Sequence, residues 1–157
     1  MTATNVPGTA GVTGSGAADA TVPGTAGSKV PGAAPRPVPL ALMRLVVTVH
    51  ALAVFGQPVL AGLFLDGADR LVQVHGANAI LIGLLGLGQI LAAILLRWPG
   101  RGPVWPVAVS VLLWFFEVLQ TGFGFIRVLS LHVPLGVAIV ATLLMLLIWV
   151  WRPRLGR

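Results

Sequence analysis

The sequence predicts an all-α integral membrane protein: a four-helix bundle made of two helical-hairpin repeats, behind a disordered N-terminal tail. Three observations carry that prediction. Only 9% of the 157 residues are charged and 57% are hydrophobic, whereas a soluble domain carries about 25% charged residues. Mean hydropathy is +0.96. Four separate apolar runs each reach the length of about 20 helical residues that a bilayer core about 30 Å thick requires. So few charges cannot cover a water-facing surface, and the lipid bilayer is the expected partner of most of it.

The tail comes first, over residues 1–39. It is Gly, Ala, Pro, Thr and Val with almost no large side chain. Val6-Pro7-Gly8-Thr9-Ala10-Gly11 recurs as Val22-Pro23-Gly24-Thr25-Ala26-Gly27, and a looser copy begins at Val30-Pro31-Gly32. Such a segment cannot bury enough apolar surface to offset its ordering entropy. It lacks the apolar stretch of a cleavable signal peptide, so a disordered cytoplasmic tail is expected.

The membrane domain, 40–157, holds the four spans. They are expected over about 43–65, 74–96, 104–126 and 129–151, and each must be helical because unpaired backbone polar groups are not tolerated in hydrocarbon. The first ends at Asp66-Gly67-Ala68-Asp69, the second at Arg97-Trp98-Pro99-Gly100-Arg101, and the fourth at Arg152-Pro153-Arg154. Lys29, Arg36, Arg44, Arg97, Arg101, Arg152, Arg154 and Arg157 all fall on one side of this layout. The positive-inside rule therefore puts both termini in the cytoplasm of a multi-pass protein of the plasma (inner) membrane. Trp98, Trp105, Trp149 and Trp151 gather at the same interface, where indole rings prefer to sit.

Charge and cysteine content close off other classes. The net charge is +6, but the basic residues flank apolar runs instead of forming a phosphate-binding patch, so no nucleic-acid partner is expected. The absence of cysteine removes disulfides, thiolate metal sites, iron–sulfur clusters and covalently attached haem. No nucleophile constellation, phosphate loop or carboxylate pair is present, and the sequence leans away from an enzyme.

The halves resemble each other. Gln57 leads through Leu60-Ala61-Gly62-Leu63-Phe64 to His75; Gln120 leads through Gly122-Phe123-Gly124-Phe125 to His132. Each half is a hairpin with a Gln in its first helix and a His at the outer start of its second, as in parallel repeats.

Polar side chains within spans are costly and so mark candidate sites. They are His50 and Gln57 in span one; His75, Asn78 and Gln89 in span two; Glu117, Gln120 and Thr121 in span three; and His132 in span four. Helical spacing gives each helix one polar stripe, and the stripes are expected to converge inside the bundle. His75 and His132 lie at matched depth in the first turns of repeat-equivalent helices. Two imidazoles facing each other at one level suit axial ligation of a haem iron, with haem b as the cofactor; the alternative is that each His sits at the headgroup level, hydrogen-bonded to water. Glu117 is the only acid within any span. Either it is neutral interhelical glue, hydrogen-bonded to Gln57 or Gln120, or it relays protons. His50, nearer the cytoplasmic side, is expected to pair structurally instead of ligating.

Four spans with His at the outer start of the second and fourth resemble one half of the haem A synthase family. That resemblance implies that His75 and His132 are an axial pair; Leu71-Val72-Gln73-Val74-His75 lacks the Glu that precedes the family's first ligand. Gln57 to Leu63, followed by a His-led helix and a Leu-His-led last helix, is also similar to small four-helix membrane proteins of high-GC bacteria, a resemblance that implies no particular activity. Three functions fit these residues. One is a b-type haem protein handling electrons or haem at the outer face, with a membrane redox partner or a second copy of the chain. Another is a non-catalytic membrane protein that packs against or regulates a larger complex. The third is a small proton-linked carrier using Glu117 and His50.

Overall fold

A computed structural model of the chain describes residues 36–153. The predicted tail lies outside the described residues except at its last few positions. Four helices follow in order: α1 (Pro37–Leu65), α2 (Leu71–Arg97), α3 (Trp105–Phe125) and α4 (Leu129–Val150). All four are long and apolar enough to cross a membrane. With a rise of about 1.5 Å per residue, even the shortest is about 32 Å long. The chain is a multi-pass membrane four-helix bundle.

Seven of the eight predicted span boundaries hold to within three residues, but α1 starts six residues earlier than expected, at Pro37. Pro37 and Pro39 lie in the stretch assigned to the tail. Pro37 instead occupies the first turn of α1, where a missing N–H costs nothing and a fixed φ suits the helix. The early start is anchored. Arg36 N–H donates to Gly100 O at 2.9 Å, and Leu40 is buried.

The helices run up and down, with α1 packed on α2 and α4, and α3 packed on the same two. The diagonal pairs scarcely touch. Helical spacing selects the buried stripes: Met43, Val47, Ala51 and Val54 on α1; Ile82, Gly86, Gln89, Ala93 and Leu96 on α2. On α3 the stripe is Pro106, Ser110, Leu113 and Glu117, and on α4 it is Ile139, Leu143, Leu146 and Val150. Most of these positions lie in the half of their helix nearer the end that carries Arg97 and Arg101; Val54, Ile82, Glu117 and Ile139 sit at or just past the middle. The bundle is therefore closed at this basic end and splayed at the other. Large apolar side chains such as Leu84, Leu91, Val137 and Met145 are exposed around the circumference, as a lipid-facing surface requires.

Side chains at the basic end clamp α1 to α4. Arg44 Nε donates to the C-terminal carbonyl of Val150 at 3.0 Å, supplying one of the partners that a helix end lacks. Its guanidinium also stands 5.1 Å from the centre of the Trp151 ring. Trp151 Nε1 in turn donates to Thr48 Oγ1 at 3.1 Å, and Trp105 meets Trp149 edge-on at 4.5 Å.

Candidate functional site

Where the core ends, a cleft of about 460 Å³ begins. It is walled mainly by α1 (Val54, Gln57, Ala61) and α4 (His132, Gly136, Val140), and α2 and α3 supply His75, Glu117 and Gln120. Both histidines named from the sequence thus line one space. Their ring centroids are 6.4 Å apart and their planes are inclined at 54°, although α2 and α4 are diagonal helices. The splayed end places their first turns across the cleft from each other.

The two rings are held differently. His132 Nδ1–H donates to the backbone carbonyl of Gln120 at 2.7 Å, and Gln120 Nε2 donates to His132 Nε2 at 3.2 Å. Gly124 makes this possible, because a Cβ there would lie 2.8 Å from His132 Cε1. His75 has no such support. Gln57 Nε2 donates to its backbone carbonyl at 3.3 Å, while His75 Nδ1 and Gln57 Oε1 are buried without a hydrogen-bond partner. Buried polar atoms normally find one. Within each hairpin the Gln stands beside the His, through different hydrogen bonds.

Asn78 is not part of the cleft wall; its Nδ2 donates to Ala53 O at 2.8 Å and ties α2 to α1. Thr121 is half-buried on the same face of α3 as Gln120. Glu117 departs from the expectation that it would pair with Gln57 or Gln120. Its carboxylate Oε1 lies 3.1 Å from His50 Nε2, with both side chains buried. That contact lies off the hydrogen-bonding axis, so His50 Nε2 and both Glu117 oxygens remain without an aligned partner. On its other side, His50 Nδ1–H donates to Gln89 Oε1 at 2.9 Å, and Gln89 Nε2 donates to Ser110 Oγ at 3.2 Å. His50 is thus hydrogen-bonded through Nδ1 alone.

Ser110 and Trp114 had no place in the sequence-level site. Ser110 was legible as a polar residue two turns from Glu117 on one face of α3. Trp114, whose Nε1 donates to Gly83 O at 3.1 Å, was legible as the one tryptophan placed mid-span, away from the four at the interface.

The site can bind a flat or elongated apolar ligand with a few polar anchors at one end. A volume of about 300–1,000 Å³ is usual for such sites. Comparison with protein-family models, with curated proteins and with solved structures finds no match. Fold and site together define a membrane four-helix bundle with a histidine-bearing cleft in its splayed half.

Proposed function

We propose that the chain is a b-type haem-binding membrane protein, with His75 and His132 as axial ligands and a role in electron transfer or haem handling at the outer face of the plasma (inner) membrane. The spacing of the two rings carries the proposal. Two imidazoles bonded to one metal ion from opposite sides, with metal–nitrogen bonds of about 2.0–2.1 Å and about 1.1 Å from nitrogen to ring centre, stand about 6.3 Å apart between centroids. The rings here are 6.4 Å apart.

The surrounding groups support the same ligand. His132 Nδ1–H on a backbone carbonyl is the outer-shell hydrogen bond that metal-binding histidines use to fix their tautomer and leave Nε2 as the electron-pair donor. Coordination would replace the longer bond from Gln120 Nε2. His75, half-buried and with its buried Nδ1 lacking a partner, can turn without losing a side-chain hydrogen bond. Apart from these polar groups the cleft walls are mainly aliphatic, with Val54, Ile82, Ile139 and Val140 among them. Haem b, when bound, supplies a one-electron iron couple whose potential follows axial ligation and burial. Electrons would come from a membrane redox partner or a second copy of the chain.

Orientation and repeat belong to the same proposal. With both termini cytoplasmic, the basic end is inside and the cleft opens toward the outer leaflet. The Gln–His arrangement of each hairpin then reads as one unit used twice. The test is a ligand series. Membranes containing the wild-type protein should give sharp low-spin ferrous bands. His75→Ala or His132→Ala should abolish six-coordinate character, and His50→Ala should leave it in place. Equal spectra for all four proteins would refute the ligand assignment.

A further inference from the structure

The haem proposal leaves the most deeply buried polar groups unexplained. Among the described residues, the buried polar side chains are His50, Gln89, Ser110 and Glu117, at 0%, 0%, 0% and 3% exposure. They form a single chain across α1, α2 and α3. A purely structural polar network satisfies its members, because a half-satisfied one costs more than apolar packing. This chain is satisfied at its Ser110 end and unsatisfied at its Glu117 end, and Glu117 is the member that lines the cleft.

The donor pattern locates a proton. Gln89 Nε2 is engaged with Ser110, so its carbonyl oxygen faces His50 and His50 Nδ1 must be the donor. A neutral His50 then has its Nε2 lone pair toward Glu117 Oε1. Two lone-pair acceptors cannot rest 3.1 Å apart in a buried site without a proton between them. Glu117 Oε2 is left over, in space that glycine keeps open. A Cβ at Gly86 would lie 2.7 Å from that oxygen and 2.9 Å from Trp114 Cδ1.

We infer that His50 and Glu117 form a proton-exchanging pair that serves the cleft, holding one proton between Nε2 and Oε1, with the Glu117 side chain as its contact with whatever occupies the cleft. The ligand of the site is a proton, drawn from or given to an O–H or N–H group or a water molecule there. In a low-dielectric site a charge change beside the pair is offset by moving that proton. The pair is electrostatically isolated. Within the helices, the other titratable groups on α1, α2 and α4 are Arg44, His75, Arg97 and His132; Arg44 and Arg97 lie toward the basic end and the histidines toward the other. Glu117 is the only titratable group on α3. The inference does not depend on haem.

Infrared difference spectroscopy on haem-free protein in liposomes tests it, comparing acidic with alkaline buffer and H2O with D2O. Besides the bands of the exposed Asp66 and Asp69, a separate protonated-carboxyl signal should change with pH and shift in D2O. It should disappear in Glu117→Gln and move in His50→Gln, with thermal unfolding checking that each variant folds. Should Glu117→Gln fail to fold, Gly86→Ala, which crowds Oε2, should shift the same signal. A wild-type carboxyl signal unchanged by pH and by D2O would mean sealed structural glue and overturn the inference. So would survival of the separate signal in Glu117→Gln.

Discussion

Adding one methyl group at Gly124 should disturb the His132 imidazole without touching it chemically. A Cβ at that position lies 2.8 Å from Cε1 and 3.0 Å from Nδ1 of the ring. Ordinary contact begins at 3.4 Å, so the ring must retreat by 3.4 − 2.8 = 0.6 Å at Cε1. It cannot do so freely, because Nδ1–H is held by Gln120 O at 2.7 Å. Breaking that bond costs about 0.5–1.5 kcal/mol, and forcing the ring off its rotamer costs about as much again. Gly→Ala within a helix returns up to about 1 kcal/mol. Gly122→Ala, two residues away on α3, is the internal control, since a Cβ there meets nothing within 4 Å. The difference between the two variants isolates the collision, at about 1–3 kcal/mol against Gly124→Ala. Thermal unfolding in detergent reads it as several degrees between them. Identical melting temperatures would refute the assigned position of the His132 ring.

Three further outcomes follow from the bundle. Reporter fusions after Arg101 and Arg157 should report cytoplasm and one near Asp69 the exterior; a cytoplasmic signal near Asp69 would reverse the orientation. Arg44→Lys should lower thermal stability nearly as much as Arg44→Ala, by about 1–2 kcal/mol, because a lysine keeps the charge but not the planar Nε–H directed at the Val150 carbonyl; full rescue by lysine would reduce the clamp to simple charge. Deletion of residues 2–35 removes none of the contacts described, the Arg36–Gly100 bond included, so inserted protein and melting temperature should stay nearly unchanged, and a large loss of either would give the tail a role in folding.

The spans were legible because their lengths are set by bilayer thickness, a constraint that acts on each helix separately. His75 and His132 were legible as a pair for a similar reason: counting residues from a helix start gives depth, and their depths match. The partner of Glu117 was not legible. Depth alone left Gln57, Gln120 and His50 within reach, and the choice depends on how α1 is rotated about its axis. Packing of Met43, Val47, Ala51 and Val54 sets that rotation and carries His50 inward with them. Gln57 turns to the cleft instead. The start of α1 was missed because Pro37, Val38 and Pro39 were counted with the tail on composition, although proline is tolerated in a first helical turn. Ser110 was passed over because a lone hydroxyl in a span usually bonds its own helix, as Thr142 does here with Ala138 O.

The central claim is that the cleft holds a haem between His75 and His132, and the reduced-minus-oxidised visible spectrum of wild-type protein purified from haem-replete cells tests it most directly. The geometry predicts one low-spin, six-coordinate haem b per chain, with sharp ferrous bands. A colourless protein, or a high-spin spectrum indifferent to both histidines, would contradict it and leave the chain as a non-catalytic partner of a larger membrane complex.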